Sequence, residues 1–227
     1  MRVITVIPAH NEEKTIQEVI RGVKKYVSDV IVIDDGSTDN TARIAKEAGA
    51  AVITHVINRG VGAALRTGYN VAFMEGFDYI IQIDSDMQHN PEFIPVLLET
   101  IQDGNHDVVI GSRFLNVSHK DYNLIRRVGI TFFTSLVNLL GSTNITDVTS
   151  GYRVYRVKSL KKIGKSPDKH WAVEQTFEFA RRGMKIKEIS IEMPPRKKGK
   201  SQFNLKTFIM YPARMIETIL RVLLFRR

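Results

Sequence analysis

Over the first 112 residues, short runs of β-branched residues alternate with stretches that repeat at helical spacing, and few architectures accommodate that order. A strand, a helix and a second strand of the same sheet form a crossover unit, which makes the strands parallel and sets helices on the sheet faces. Val3–Ile7 reads as a buried strand, followed by a helix from about Glu12 to Tyr26 with Ile16, Val19, Ile20 and Val23 on one face. Val30–Ile33 is the second strand, and Ser37 or Thr38 is expected to cap a helix that runs to about Ala48 and stops at Gly49. Ala51–Val56 is a third strand, Ala63–Glu75 a helix and Tyr79–Ile83 a fourth strand. Pro91 opens the next helix, and Val108–Ile110 is the fifth strand. The sequence thus predicts an α/β fold built on a mainly parallel sheet flanked by helices.

Beyond Tyr122 the alternation loosens. Asn123–Leu140 predicts a long, largely apolar helix, Thr149–Tyr155 a strand, residues 169–182 a helix and Lys185–Ile191 a strand. The segment Pro194–Ser201 carries too much Pro, Gly and Lys for regular structure and reads as a basic loop. With no internal repeat and no low-complexity linker, residues 1–204 read as one catalytic-sized domain. Residues 205–227 form the last predicted helix. At roughly 100° per residue, Leu205, Phe208, Ile209, Pro212, Met215, Ile216, Ile219 and Leu223 share one face, and Lys206, Arg214, Glu217 and Arg221 fall opposite. Such an amphipathic helix either lies in a membrane interface or packs on the domain.

Charge also divides the chain. Residues 1–150 hold 13 Lys and Arg against 18 Asp and Glu, a net −5; residues 151–227 hold 20 against 6, a net +14. The basic part suits an anionic partner such as a phosphate, a nucleic acid or an acidic lipid. An acidic N-terminal part with paired aspartates, and no nucleic-acid motif, argues against nucleic acid. Cysteine is absent, which excludes a disulfide framework, a thiol nucleophile and a thiolate metal site. The N-terminal segment MRVITVIPAHNEE lacks a signal-peptide pattern, and no run reaches the ~18 apolar residues of a membrane span. A cytoplasmic location is the expectation.

The sharpest chemical signal is Ile80-Ile-Gln-Ile-Asp84-Ser85-Asp86-Met-Gln88. Aspartates two apart at the end of an apolar strand point to one side, with Cα atoms roughly 6–7 Å apart. In an open parallel sheet, ligands bind at the C-terminal strand ends, where these residues fall. Carboxylates so close repel one another unless a cation lies between them. A hard divalent ion, Mg²⁺ or Mn²⁺, satisfies them and can also hold a diphosphate, with Gln88 as a further oxygen. Asp34-Asp35-Gly36-Ser37 ends the second strand at the same edge. It reads either as ligands for ribose or base, or as a capped turn. Pro8-Ala-His10-Asn-Glu12 supplies a third loop at this rim. Asn58-Arg-Gly-Val-Gly62 is half of a Gly-rich phosphate loop, since position 65 is Leu.

Pro8-x-x-Asn11-Glu12, Asp34-Asp35-Gly36-Ser37-x-Asp39, Gly60-x-Gly62, Asp84-x-Asp86-x-Gln88, Gly111-Ser-Arg113 and Ser150-Gly-Tyr-Arg153 occur in this order. Together they resemble family-2 glycosyltransferases of the GT-A, Rossmann-like fold. The likeness is to polyprenyl- and dolichyl-phosphate sugar transferases of the dolichol-phosphate mannose synthase type, and it runs from Val3 to Ser201. The resemblance implies that Pro8, His10, Glu12, Ile33 and Asp35 hold the nucleoside. It gives Asp84, Ser85, Asp86 and Gln88 to the metal and diphosphate site, with Asp84, Asp86 and Gln88 as metal ligands. Arg113 and Arg196 match basic residues that meet the diphosphate and the acceptor phosphate, and Lys200 and Ser201 lie in the corresponding basic loop. His10 stands where an aromatic residue is common, and Gln202 where a Lys often follows the loop Ser; Lys198 or Lys200 then supplies that phosphate contact.

An acceptor class follows from a missing carboxylate. Inverting transfer to a sugar hydroxyl needs a general base, which such relatives supply from a Glu-Asp pair ahead of a helix. Here the comparable pair is Glu174-Gln175, and an amide accepts no proton. A lipid phosphate is already an anionic nucleophile. It needs cations instead, for which Arg113, Arg126, Arg127, Arg153 and Arg196 are candidates. Asp86, Arg113 and Arg196 are therefore the catalytic candidates, with Glu174 or Asp147 as a base in the alternative of a glycan or other hydroxyl acceptor. The expected reaction is inverting transfer of a hexose from GDP-mannose or UDP-glucose to dolichyl or polyprenyl phosphate, at the cytoplasmic face of a membrane. Relatives of this kind often continue into membrane spans; a chain ending at Arg227 is expected to be peripheral or a shortened form.

Overall fold

The computed structural model describes residues 1–115, 124–163 and 171–193, with Glu217, Leu220 and Arg221 near the C-terminus; side chains of 124–130 and 133 fall outside that description. One seven-stranded sheet organises these residues, in the order β3-β2-β1-β4-β6-β5-β7. Its strands are β1 (Val3–Ala9), β2 (Asp29–Asp34), β3 (Ala51–Thr54), β4 (Tyr79–Gln82), β5 (Val108–Ser112), β6 (Arg153–Arg156) and β7 (Ile186–Ser190). β1 pairs in parallel with β2 and β4, β2 with β3, and β5 with β7. β6 runs antiparallel to both of its neighbours, β4 and β5. The predicted mainly parallel sheet is present, and β6 is its one reversed strand.

Side chains alternate along each strand, so the sheet buries two apolar layers. On one face Ile7, Val30, Val32, Ile81, Val109 and Val154 meet α1 (Ile16–Lys24) and α4 (Ile94–Asp103). On the other, Ile4, Val6, Ile31, Ile33, Ile80 and Tyr155 meet α3 (Val61–Met74), α6 (Val157–Leu160) and α7 (Trp171–Arg181). α5 (Leu124–Gly141) joins α7 through Val137, Val173 and Phe177. The helical spacing of Ile16, Val19, Ile20 and Val23 is the buried stripe of α1, as predicted.

One helix start differs from expectation. α2 (Thr41–Glu47) begins after Asn40, not after Ser37 or Thr38, and the Asn40 side chain caps no main-chain N–H of the first turn. The residues before it have other partners. Ser37 Oγ accepts the Asn11 main-chain N–H at 2.9 Å, and Thr38 N–H donates to Asn11 Oδ1 at 2.9 Å. Pro91 opens a single 3₁₀ turn, Pro91–Phe93, which leads into α4, and Asn90 accepts from the Glu92 N–H at 3.1 Å.

Candidate active site

The C-terminal ends of β1, β2, β4 and β5 share one rim of the sheet. β6, being reversed, starts there, so the Ser150–Gly151 turn arrives at the same edge. Loops at this rim are tied by the residues of the sequence motifs themselves. Glu12 N–H donates to Thr41 Oγ1 at 2.8 Å, Glu13 N–H to Asp39 Oδ2 at 3.2 Å, and Asn40 N–H to Glu13 Oε2 at 3.2 Å. Asn11 adopts φ 56°, which an Asn tolerates, and its carboxamide then reaches Thr38. The loops after β1 and β2 are therefore one stitched unit.

Pro8 lies directly opposite Ile33 across the β1–β2 ladder, and His10 Nδ1 is 3.0 Å from the Asp35 main-chain oxygen. The structure thus brings Pro8, His10, Ile33 and Asp35 together, with Glu12 just beyond. The Asp35 side chain is buried, and its carboxylate turns inward. It accepts the N–H of Gly60 at 2.7 Å, that of Arg59 at 3.1 Å, and pairs with His55 Nδ1 at 2.7 Å. This explains the half phosphate loop: the main-chain amides that would cradle a phosphate are bonded to the protein's own carboxylate. Gly36 permits the packing, because at φ 69° a Cβ there would lie 2.7 Å from the Asn58 nitrogen.

The Asp84–Gln88 turn follows β4. Ser85 is buried, while Asp84, Asp86 and Gln88 are part-exposed, with the Asp84 side chain 39% exposed. Gln88 N–H donates to Asp86 Oδ1 at 3.1 Å, and the Asp84 N–H donates to Nδ1 of the buried His89 at 3.0 Å. Burial holds the His89 imidazole neutral, with its pKa lowered to about 4. Among the described residues no three His, Cys, Asp or Glu side chains converge as a closed metal cage. The donor set is two carboxylates and an amide, all oxygen, open to solvent. That fits a Mg²⁺-like ion, which binds proteins through one or two carboxylates and completes its shell with water and phosphate.

Arg113 follows β5 and is clasped by Asp147. Nε donates to Oδ2 at 2.7 Å and Nη2 to Oδ1 at 2.8 Å, and Nη2 also reaches Thr149 Oγ1. The Asp147 side chain has no exposed surface, and its main chain is held by Glu188, which accepts the N–H of Thr146 and of Asp147. Burial raises the Asp147 pKa, but the hydrogen bonds and charge of Arg113, with the Thr149 bond, outweigh it and hold the carboxyl below its ordinary range. Glu174 is fully buried within α7, and Gln175 accepts from the Tyr155 hydroxyl at 2.7 Å.

The structure does not bring Arg153 to the rim surface. It is fully buried: Nε donates to the Ser150 carbonyl at 2.7 Å, Nη2 to the Val148 carbonyl at 3.1 Å, and its guanidinium lies 5.3 Å from the Trp171 ring centroid. Its two carbonyl bonds brace the turn that enters β6. Arg126 and Arg127 occupy the first turn of α5, their side chains outside the described residues. Arg196, Lys200, Ser201 and the basic loop also lie outside them, as does the terminal helix except for helical Glu217, Leu220 and Arg221. Sequence reasoning missed His55, His89 and Tyr152. His89 stacks on Tyr152 with centroids 5.0 Å apart, and only its closeness to Asp84 in sequence hinted at a role.

A family model for glycosyl transferase family 2 matches residues 4–164. The undecaprenyl-phosphate mannosyltransferase of Micrococcus luteus is 32% identical over 216 residues, covering 90% of this chain and 88% of its own. The UDP-N-acetylglucosamine–dolichyl-phosphate N-acetylglucosaminyltransferase of Methanococcus voltae is 34% identical over 175 residues, 69% of this chain and 70% of its own. Glucosyl-3-phosphoglycerate synthase of Mycobacterium tuberculosis, solved with Mn²⁺ and UDP-glucose, superposes with a TM-score of 0.74 over 96% of this chain and 78% of its own. At 22% identity that likeness establishes the fold alone, and the fold is GT-A. The matched span, the sheet and the motif residues at its rim agree: the chain belongs to glycosyl transferase family 2 and is a glycosyltransferase.

Proposed function

We propose that this enzyme moves a hexose from a nucleoside diphosphate sugar, GDP-mannose or UDP-glucose, onto a polyprenyl or dolichyl phosphate at a membrane surface, with inversion at C1. The observation that carries the acceptor assignment is the Arg113–Asp147 clasp. A general base needs a carboxylate within reach of the acceptor and a pKa near working pH. Asp147 has neither: it is buried, doubly bonded to Arg113 and more acidic than usual. Glu174 is buried inside α7. A phosphate acceptor removes the need, since no proton leaves when its anionic oxygen attacks. The relatives named for undecaprenyl- and dolichyl-phosphate acceptors support the same class.

In this scheme Pro8, His10, Glu12, Ile33 and Asp35 form the nucleoside end of the site, with Asp35 acting through the Arg59–Gly60 turn that it holds. Asp84, Asp86 and Gln88 would hold Mg²⁺ or Mn²⁺. When bound, the ion neutralises charge on the departing diphosphate. Arg113, its plane fixed by Asp147, places positive charge where two anionic substrates meet. Arg126, Arg127, Arg196, Lys200 and Ser201 are assigned to the acceptor side. The acceptor phosphate oxygen forms the new bond to C1 as the bond from C1 to the nucleoside diphosphate breaks, giving a β-linked sugar phosphate.

The test is transfer of radiolabelled sugar to a short polyprenyl phosphate in detergent with Mn²⁺. GDP-mannose, UDP-glucose and UDP-N-acetylglucosamine are offered in parallel, with Asp86→Ala as control. Label in the lipid phase from one donor, lost in the variant, is the expected result and names the sugar. Donor consumption only when glycans are supplied overturns the acceptor assignment.

A further inference from the structure

The turn that carries Asp84 ends on a side chain that the reaction scheme leaves unused. His89 is 4% exposed and stands five residues after Asp84, and between them Met87 takes φ 67°, so the chain doubles back and returns the imidazole to the start of the turn. His89 Nδ1 accepts the Asp84 main-chain N–H at 3.0 Å. An imidazole that accepts at Nδ1 carries its proton on Nε2. That Nε2 lies 3.7 Å from Asp84 Oδ2, beyond hydrogen-bond length, and a neutral ring forms no ion pair with it, so the bond to Asp84 is the one at Nδ1. The ring is held in place. Tyr152 stacks on it at an interplanar angle of 19°, and the Tyr152 hydroxyl donates to the Asn90 carbonyl at 3.0 Å. Gly151 closes the remaining side: a Cβ there would lie 3.0 Å from Asp84 Oδ2 and 3.3 Å from His89 Cε1.

We infer that His89 is a positioning residue for the divalent cation, fixing the main chain from which the Asp84 carboxylate projects, with Tyr152 and Gly151 as its backing. The inference rests on the assignment of Asp84 as a metal ligand. Hydrogen-bond partners behind a metal's ligands orient them, and loss of such a partner weakens metal binding about 10–100-fold. A two-carboxylate site depends on this more than a closed cage does, because few ligands share the task of alignment.

Two substitutions keep or remove that bond. In His89→Asn the amide oxygen stands where Nδ1 stands and can still accept the Asp84 N–H. In His89→Gln the amide stands farther out, where Nε2 stands, and the Asp84 N–H loses its acceptor. Mn²⁺ is titrated into each protein in the presence of GDP and, separately, UDP. The free ion is followed by electron paramagnetic resonance, below the unfolding midpoint of each apo-protein. His89→Gln is expected to raise the Mn²⁺ dissociation constant about 10–100-fold, and His89→Asn less than about 5-fold. Unchanged binding in His89→Gln overturns the positioning role, and so does a loss in His89→Asn as large as in His89→Gln. A wild type that binds no more Mn²⁺ than Asp84→Ala with either nucleotide overturns the metal assignment itself, and this proposal with it.

Discussion

Asp147 commits both carboxylate oxygens to Arg113, and the sign of its contribution to stability follows. Its native pKa is depressed, so the stabilisation is complete above the ordinary carboxylate value of about 3.9 and is lost as pH falls through the lower native value. Asp147→Asn keeps the shape but leaves Arg113 facing a neutral amide. It is expected to lower stability at pH 7 by about 1–3 kcal/mol, read from the urea midpoint. The gap to wild type should narrow as pH drops below about 4. A gap that stays constant to pH 3 would mean that the charge on Asp147 is not its source. Arg153 belongs to the same scale. Its planar fork serves two carbonyls, so Arg153→Lys should cost about 1–3 kcal/mol in thermal unfolding, as one carbonyl loses its donor. The sequence shows residue types, and by type Arg113 and Arg153 are equal candidates for a phosphate. Which one faces the rim depends on β6 running backwards, so that Arg153 falls within the ladder opposite Gln82 and Ile110. The inward turn of the Asp35 carboxylate is likewise a long-range matter, set by the Arg59 and Gly60 amides arriving from another loop.

Helix α3 lies close against β1 where Gly68 meets Val6 without a side chain of its own. A Cβ at position 68 would stand 2.3 Å from Val6 Cγ1, far inside contact distance. Gly68→Ala is expected to destabilise by about 1–3 kcal/mol through overpacking. Adding Val6→Ala should restore part of that loss, since the two changes share one contact; losses that simply add in the double variant would place the strain elsewhere. At this scale the sequence was most legible where the pattern is local. The buried stripe of α1 and the apolar runs of β1, β2 and β4 announce themselves, because period and burial are written in neighbouring residues. The direction of β6 is not written there: a four-residue run looks the same whichever way it enters the sheet. The start of α2 was misplaced for a related reason. Ser37 and Thr38 have capping side chains, but the loop after β1 reaches them first.

The whole molecule is electrically lopsided, and the membrane reading is tested at that scale. Residues 151–227 carry +14 against −5 for residues 1–150, and among the described residues no helix is long and apolar enough to cross a bilayer. Charge, and apolar faces that lie along a surface, are the attractions that this sequence offers a membrane. Juxtamembrane Lys and Arg contribute about 1 kcal/mol each at an anionic surface, and the attraction fades within a Debye length of about 8 Å at physiological salt. The protein is therefore expected to float with vesicles containing phosphatidylglycerol at about 0.05 M salt and to be released as salt approaches about 0.5 M. Replacing Lys197 and Lys198 by Glu should weaken that binding roughly 5-fold or more for each position, because each swap removes an attraction and adds a repulsion. Equal flotation with uncharged phosphatidylcholine vesicles, insensitive to salt, would assign the attachment to apolar faces such as the one predicted for residues 205–227. No flotation with either vesicle would remove the membrane from the mechanism. Sugar transfer to a detergent-dispersed polyprenyl phosphate would then have to stand on the rim chemistry of Asp84, Asp86 and Arg113 alone.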